Sequence, residues 1–166
     1  MNGMQTPLVL KFGDAETRVQ SLPRSNVAVQ LDLAVGVGAL VADVLRHTPP
    51  RPLEIERAIE IVEEAIMPVR AQLPEAFQLI CADPQLRSLS GQEHSAQDGD
   101  SDVSNATARW LSIDAVEHLF NRLVARAEGR PASQDTLAVD GASAARLVMV
   151  REILHHWHLL GLYLTA

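Results

Sequence analysis

The chain has 166 residues, a hydrophobic share of 47%, a charged share of 21% and a formal net charge of −7. That length suits one domain with a real core that needs no disulfide or metal to fold. The single cysteine, Cys81, excludes an intrachain disulfide and fits a reducing compartment, and the acidic balance without a basic stripe excludes nucleic acid as the main partner.

In chain order, Pro7 to Phe12 alternate, with Leu8, Leu10 and Phe12 on one face, which predicts a short strand. A polar stretch follows from Gly13 to Ser25. Val27, Val29, Leu31 and Leu33 alternate strictly, whereas Leu33, Val37, Leu40, Val41 and Val44 share a helical face. The pattern therefore predicts a strand over about 27–33 passing into a helix over about 35–46. One helix from Asn26 to Arg46 is the alternative, with Gly36 and Gly38 each weakening it by about 1 kcal/mol.

Proline at 49, 50 and 52 ends that element and opens the next. From Leu53 the residues Ile55, Ile59, Val62, Ile66, Val69 and Leu73 form a heptad seam, flanked by Glu54, Glu56, Glu60, Glu63 and Glu64. Pro68 predicts a kink or break after Glu64, and Pro74 a stop. Phe77 to Cys81 fits a short strand or a helical turn equally well.

Residues 88–108 carry four acidic and no basic side chains, so more than half of the charge excess lies there. Their Ser, Asp and Gly content predicts a flexible acidic linker or loop. Asp114 and Glu117 have capping-box spacing, and Val116, Leu119, Phe120, Leu123, Val124 and Ala127 mark one helical face. Gly129 and Pro131 end that helix. A final helix is expected from about Ala142 to Leu164, apolar on nearly every side between Leu147 and Leu164 and therefore buried, centrally or in an oligomer interface.

Glu152, His155 and His158 are the sharpest chemical signal. Glu152 and His155 have the Glu-x-x-His spacing of carboxylate-bridged metal sites, and His158 continues the same spacing. Glu60, Glu63, Glu64, Glu117 and His118 are available as further ligands. Against this stands a plain role for histidines at a helix C-terminus, where positive charge is favoured.

Other motifs fall short. Asp98, Asp100, Asp102 and Ser104 imitate a calcium loop, but its glycine position is Val103 and its final glutamate position is Arg109. Gly36-Val37-Gly38 lacks the third glycine of a dinucleotide loop. Cys81 has no local base to make it a nucleophile, and no serine sits in a nucleophile elbow.

These observations predict a mainly α protein, a helical bundle with a small N-terminal β element, or alternatively an all-α chain. A single domain over 1–166 is expected, with an N-terminal β/α segment over 1–87, the linker over 88–108 and a C-terminal helical hairpin over 109–166. The expected function is a non-enzymatic interaction or regulatory protein. It would self-associate as a homo-oligomer through the 53–73 seam and the 147–164 helix, without a cofactor. The alternative is an enzyme or sensor holding a transition metal ion at Glu152, His155 and His158. A small-molecule pocket between helices is a third reading. No run approaches the roughly 20 apolar residues of a membrane span, and Met1 to Phe12 lack the features of a secretory leader. No membrane partner is expected, and the predicted location is cytoplasmic.

Overall fold

The computed structural model describes residues 5–92 and 108–166, so the imitation calcium loop lies outside the described residues. Six strands form one mixed sheet: β1 (Thr6–Phe12), β2 (Thr17–Ser21), β3 (Gln30–Leu33), β4 (Phe77–Cys81), β5 (Ala108–Ser112) and β6 (Gly161–Thr165). Five helices accompany it: α1 (Val37–Asp43), α2 (Pro52–Ile66), α3 (Pro84–Gly91), α4 (Ile113–Ala127) and α5 (Gly141–His156).

The sheet order is β3-β2-β1-β4-β6-β5. Strands β1, β4 and β6 run parallel at its centre, while β2, β3 and β5 pair antiparallel to their neighbours. Register sets the layers. Leu8 faces Leu79 and Leu10 faces Cys81; farther out, Cys81 faces Leu164 and Leu162 faces Leu111. All of these are buried, and they form the sheet's share of a single core. The opposite face carries Val9, Ile80, Tyr163 and Trp110 in one cross-strand row, with Trp110 and Tyr163 stacked at 4.8 Å between ring centroids.

Helix α5 is the hub of the helical layer and packs against each of the other four helices. Ala144, Ala145, Leu147, Val148, Met149, Val150, Ile153 and Leu154 are all 0% exposed. At about 1.5–3 kcal/mol for each fully buried large aliphatic side chain, this helix anchors the core. Its all-round apolar character thus reflects a central position in the domain. The seam of α2 is used the same way, with Ile55, Val62 and Ile66 buried.

The expected helical bundle with a small N-terminal β element is overturned, since six strands and five helices build an α/β domain. Three misreadings caused this. Strand β2 lies inside the stretch taken as polar loop, because Thr17 and Val19 alone point inward. The final helix stops at His156 and not near Leu164. Trp157 caps it, His158 takes a left-handed backbone with φ 56°, and the run from Gly161 becomes β6. A short apolar run cannot be assigned to strand or helix by periodicity alone. The second half of α3 and the first residue of β5 fall within the segment expected to be linker.

Other expectations hold in kind. Residues 30–43 form a strand followed by a helix. Helix α2 breaks at Ile66, just before Pro68, and Val69 and Leu73 reach the core from a 3-10 turn beyond it. The α4 cap is Ser112, whose hydroxyl accepts from the Ala115 amide at 3.1 Å, and not Asp114.

Gly36 and Gly38 join α1 to the β1–β2 turn instead of holding a nucleotide. The Val37 and Ala39 amides donate to the Gly13 and Asp14 carbonyls at 2.8 Å each. A Cβ on Gly36 would collide with the Asp14 carbonyl and come within 2.6 Å of the Ala15 carbonyl carbon. Backbone cannot yield as a side chain does, so Gly36→Ala is expected to cost about 1–3 kcal/mol. A urea melt checks this; an unchanged midpoint would show that the turn relaxes freely.

Candidate functional site

In open α/β sheets, ligands bind at the carboxyl ends of the parallel strands, where the chain leaves neighbouring strands in different directions. Here that place lies between β1, which turns back into β2, and β4, which leads into α3. A cleft of about 260 Å³ opens there, lined by Val9, Leu10, Lys11 and Phe12 from β1 and by Cys81, Ala82 and Asp83 from the end of β4.

The cleft's polar groups each have a local cause. Lys11 is the chain's only lysine and points to the exposed side of β1. Asp83 precedes Pro84 and caps α3, its Oδ1 accepting from the Leu86 amide at 2.7 Å. The same oxygen accepts from Arg146 Nε at 2.8 Å, and both side chains are largely buried, at 13% and 14% exposure. Arg146 reaches this pair from the second turn of α5, where its Nη1 also donates to the Ala142 carbonyl. Burial and the nearby Asp83 charge push the Cys81 thiol up to about 12, so it stays protonated at neutral pH and is no nucleophile.

The amides that begin α1 are occupied by the Gly13 and Asp14 carbonyls, and the first-turn amide of α3 by Asp83. An anion entering the cleft would therefore meet Lys11 and, as the second charged lining group, the Asp83 carboxylate, whose charge Arg146 offsets from behind the lining. The sequence reading missed this site. Its signals were the lone lysine ending a predicted strand and the Asp-Pro pair after another.

The predicted metal ligands separate. Glu152 is 3% exposed and lies with His156 and Glu63, the three offering ligand atoms within 4.8 Å of one another. His155 turns outward to pair with Glu117, and His158 is exposed beyond the helix end. The structure thus brings Glu152 together with a histidine four residues on and a glutamate from α2, and not with His155 or His158. His118 lines a separate hollow of about 370 Å³ with Arg122 and Arg130, whose guanidinium groups both turn to Asp135. Glu60 pairs with Arg57 at the surface.

No family model and no curated protein matches the sequence. Solved structures do. The Ppx/GppA phosphatase of Aquifex aeolicus superposes with a TM-score of 0.72 at 13% identity, over 99% of this chain and 54% of that one. An exopolyphosphatase from Cytophaga hutchinsonii gives 0.72 at 15%, over 98% and 53%. An exopolyphosphatase-like protein gives 0.65 at 14%, over 99% and 56%. The chain spans about half the length of the structures it matches.

At these identities the likeness establishes the fold. It also overturns the expectation of a non-enzymatic helical protein, since the matched folds are those of phosphatases; the apolar seam of α2 and the body of α5 pack in the chain's own core. Among the described residues no helix is long and apolar enough to cross a membrane.

Proposed function

We propose that this chain is the phosphate-gripping half of a phosphatase of the exopolyphosphatase kind, with the cleft between β1 and β4 as its anion site. The observation that carries the reading is the fold match, which covers nearly the whole chain and about half of each matched phosphatase. The position of the cleft at the carboxyl ends of the central parallel strands supports it independently.

Catalysis of phosphoryl transfer is mainly positioning and electrostatic stabilisation of charge on the phosphoryl oxygens. Lys11 supplies a mobile point charge at the cleft. Arg146, held by Asp83 and the Ala142 carbonyl behind the lining, offsets the Asp83 charge that faces the cleft. A linear phosphate polymer is the substrate class this reading selects. The second wall of the site lies outside this half, and a cytoplasmic setting belongs to the same proposal.

The test is binding of fluorescently labelled linear polyphosphate to the purified chain, followed by anisotropy at low salt. Lys11→Ala removes a charge-assisted contact worth about 1.5–3 kcal/mol and is expected to weaken binding by about ten-fold or more. Its exposure on the strand leaves the fold intact. Absence of saturable binding, or equal binding by the variant, would defeat the proposal.

A further inference from the structure

We infer that Glu63, Glu152 and His156 form a site for a divalent transition-metal ion, zinc foremost, at the end of α5 away from the phosphate cleft. The three ligand atoms come from two helices. His156 Nε2 lies 3.0 Å from Glu63 Oε1 and 3.5 Å from Glu152 Oε2. Metal bonds of about 2.0–2.1 Å in tetrahedral geometry place neighbouring ligand atoms roughly 3.3–3.4 Å apart. The two separations bracket that value, and the two carboxylates approach within 4.8 Å of each other.

Charge independently favours a cation. Glu117 and Glu152 share one guanidinium, that of Arg151, which donates to Glu117 at 2.8 Å and to Glu152 at 2.5 Å, and Glu63 has no cationic partner beyond the His156 imidazole among the described residues. Arg151 holds Glu152 by Oε1, which leaves Oε2 turned towards His156. The remaining partners are the imidazoles of His155 and His156. The site also sits near the C-terminal ends of α2 and α5, where the two helix dipoles add negative potential. Glu152 is 3% exposed, so its carboxylate is withdrawn from water and has lost the solvent that would otherwise balance it.

Two carboxylates and one imidazole, with a fourth position open, make a donor set of mixed N and O character that suits zinc. The cluster lies six to ten residues beyond Arg146 on α5, or about 9–15 Å along the helix axis, so it is separate from the cleft. A bound ion would clamp α2 to α5.

Isothermal titration of the untagged chain with zinc chloride tests this without any assay of activity. One ion per chain is expected, with binding weakened at least ten-fold in Glu63→Gln and in His156→Ala, and unchanged in His155→Ala. Glu63 is half-buried, so Glu63→Gln preserves the packing if His156→Ala does not fold; circular dichroism reports which variants are folded. No saturable binding, binding indifferent to Glu63→Gln, or equal loss in His155→Ala would overturn the site. None of these outcomes bears on polyphosphate binding, which is measured separately.

Discussion

Replacing Asp135 by alanine is expected to remove about 3–5 kcal/mol of stability and to lower the thermal midpoint by roughly 10 °C. The carboxylate is 4% exposed and accepts from Arg122 Nε and Nη2, the latter at 2.6 Å. It also accepts from the Leu137 amide at 2.9 Å, while Arg122 Nη1 donates to the Gln92 carbonyl at 2.6 Å. One buried charge pair thus ties α4, the end of α3 and the loop before α5 together. Alanine would strand a guanidinium that is only 10% exposed.

The same pair sets the acid limb of stability. Hydrogen bonds from Arg122 outweigh burial and hold the Asp135 carboxyl at about 2, below its ordinary 3.8. A depressed carboxylate stabilises the fold above its unfolded value, and that contribution fades as pH falls from about 4 towards 2. It amounts to about 2 kcal/mol. Asp135→Asn should flatten the dependence in that window. Melts followed by circular dichroism at neutral and acidic pH check both statements; an Asp135→Ala midpoint within about 2 °C of the parent would refute the first.

Asp83→Asn is expected to tighten polyphosphate binding by roughly ten- to a hundred-fold, the scale of one removed like charge beside a partly buried anion. Asparagine still caps α3 and can still accept from Arg146, but it leaves a guanidinium that is 14% exposed without its carboxylate, so a loss of stability of about 3 kcal/mol is expected. What disappears is a negative charge lining the cleft next to Lys11. Anisotropy titrations of parent and variant at one salt concentration decide the point. Equal affinity would mean that the anion does not approach Asp83, and would move the proposed site away from β4.

Local structure was legible wherever a periodicity ran long enough. The alternation of Leu8 and Leu10, the α2 seam and the apolar face of α4 all describe real elements. The sheet was not legible, because its central pairings join β1 to β4 and β4 to β6 across most of the chain. Strand β5 shows only Leu111 buried, which is too little pattern to distinguish from a loop. At the histidine cluster, the sequence singled out Glu152, which lies beside Glu63 and His156, and included Glu63 among the available carboxylates. The choice between His155 and His156 depended on which side of α5 meets α2, and a buried helix with no apolar stripe gives no sign of that. The proposed anion cleft was invisible for a related reason, since Lys11 and Asp83 come to one cleft only through parallel pairing of β1 and β4.

The place of β6 between β4 and β5 has a kinetic consequence. Among the described residues, strand β5 pairs only with β6, which follows it by some fifty residues and by two helices. The β1–β2–β3 meander can form early from local contacts, whereas β5 must wait for α4 and α5 to be placed and for Gly161–Thr165 to slot in beside β4. Such distant closures slow folding. Until that insertion, β4 presents an open edge, and the strand that seals it follows β4 by about eighty residues. Chains stalled during translation would expose this edge, so aggregation, if it occurs, should track interrupted synthesis more closely than the stability of the finished fold.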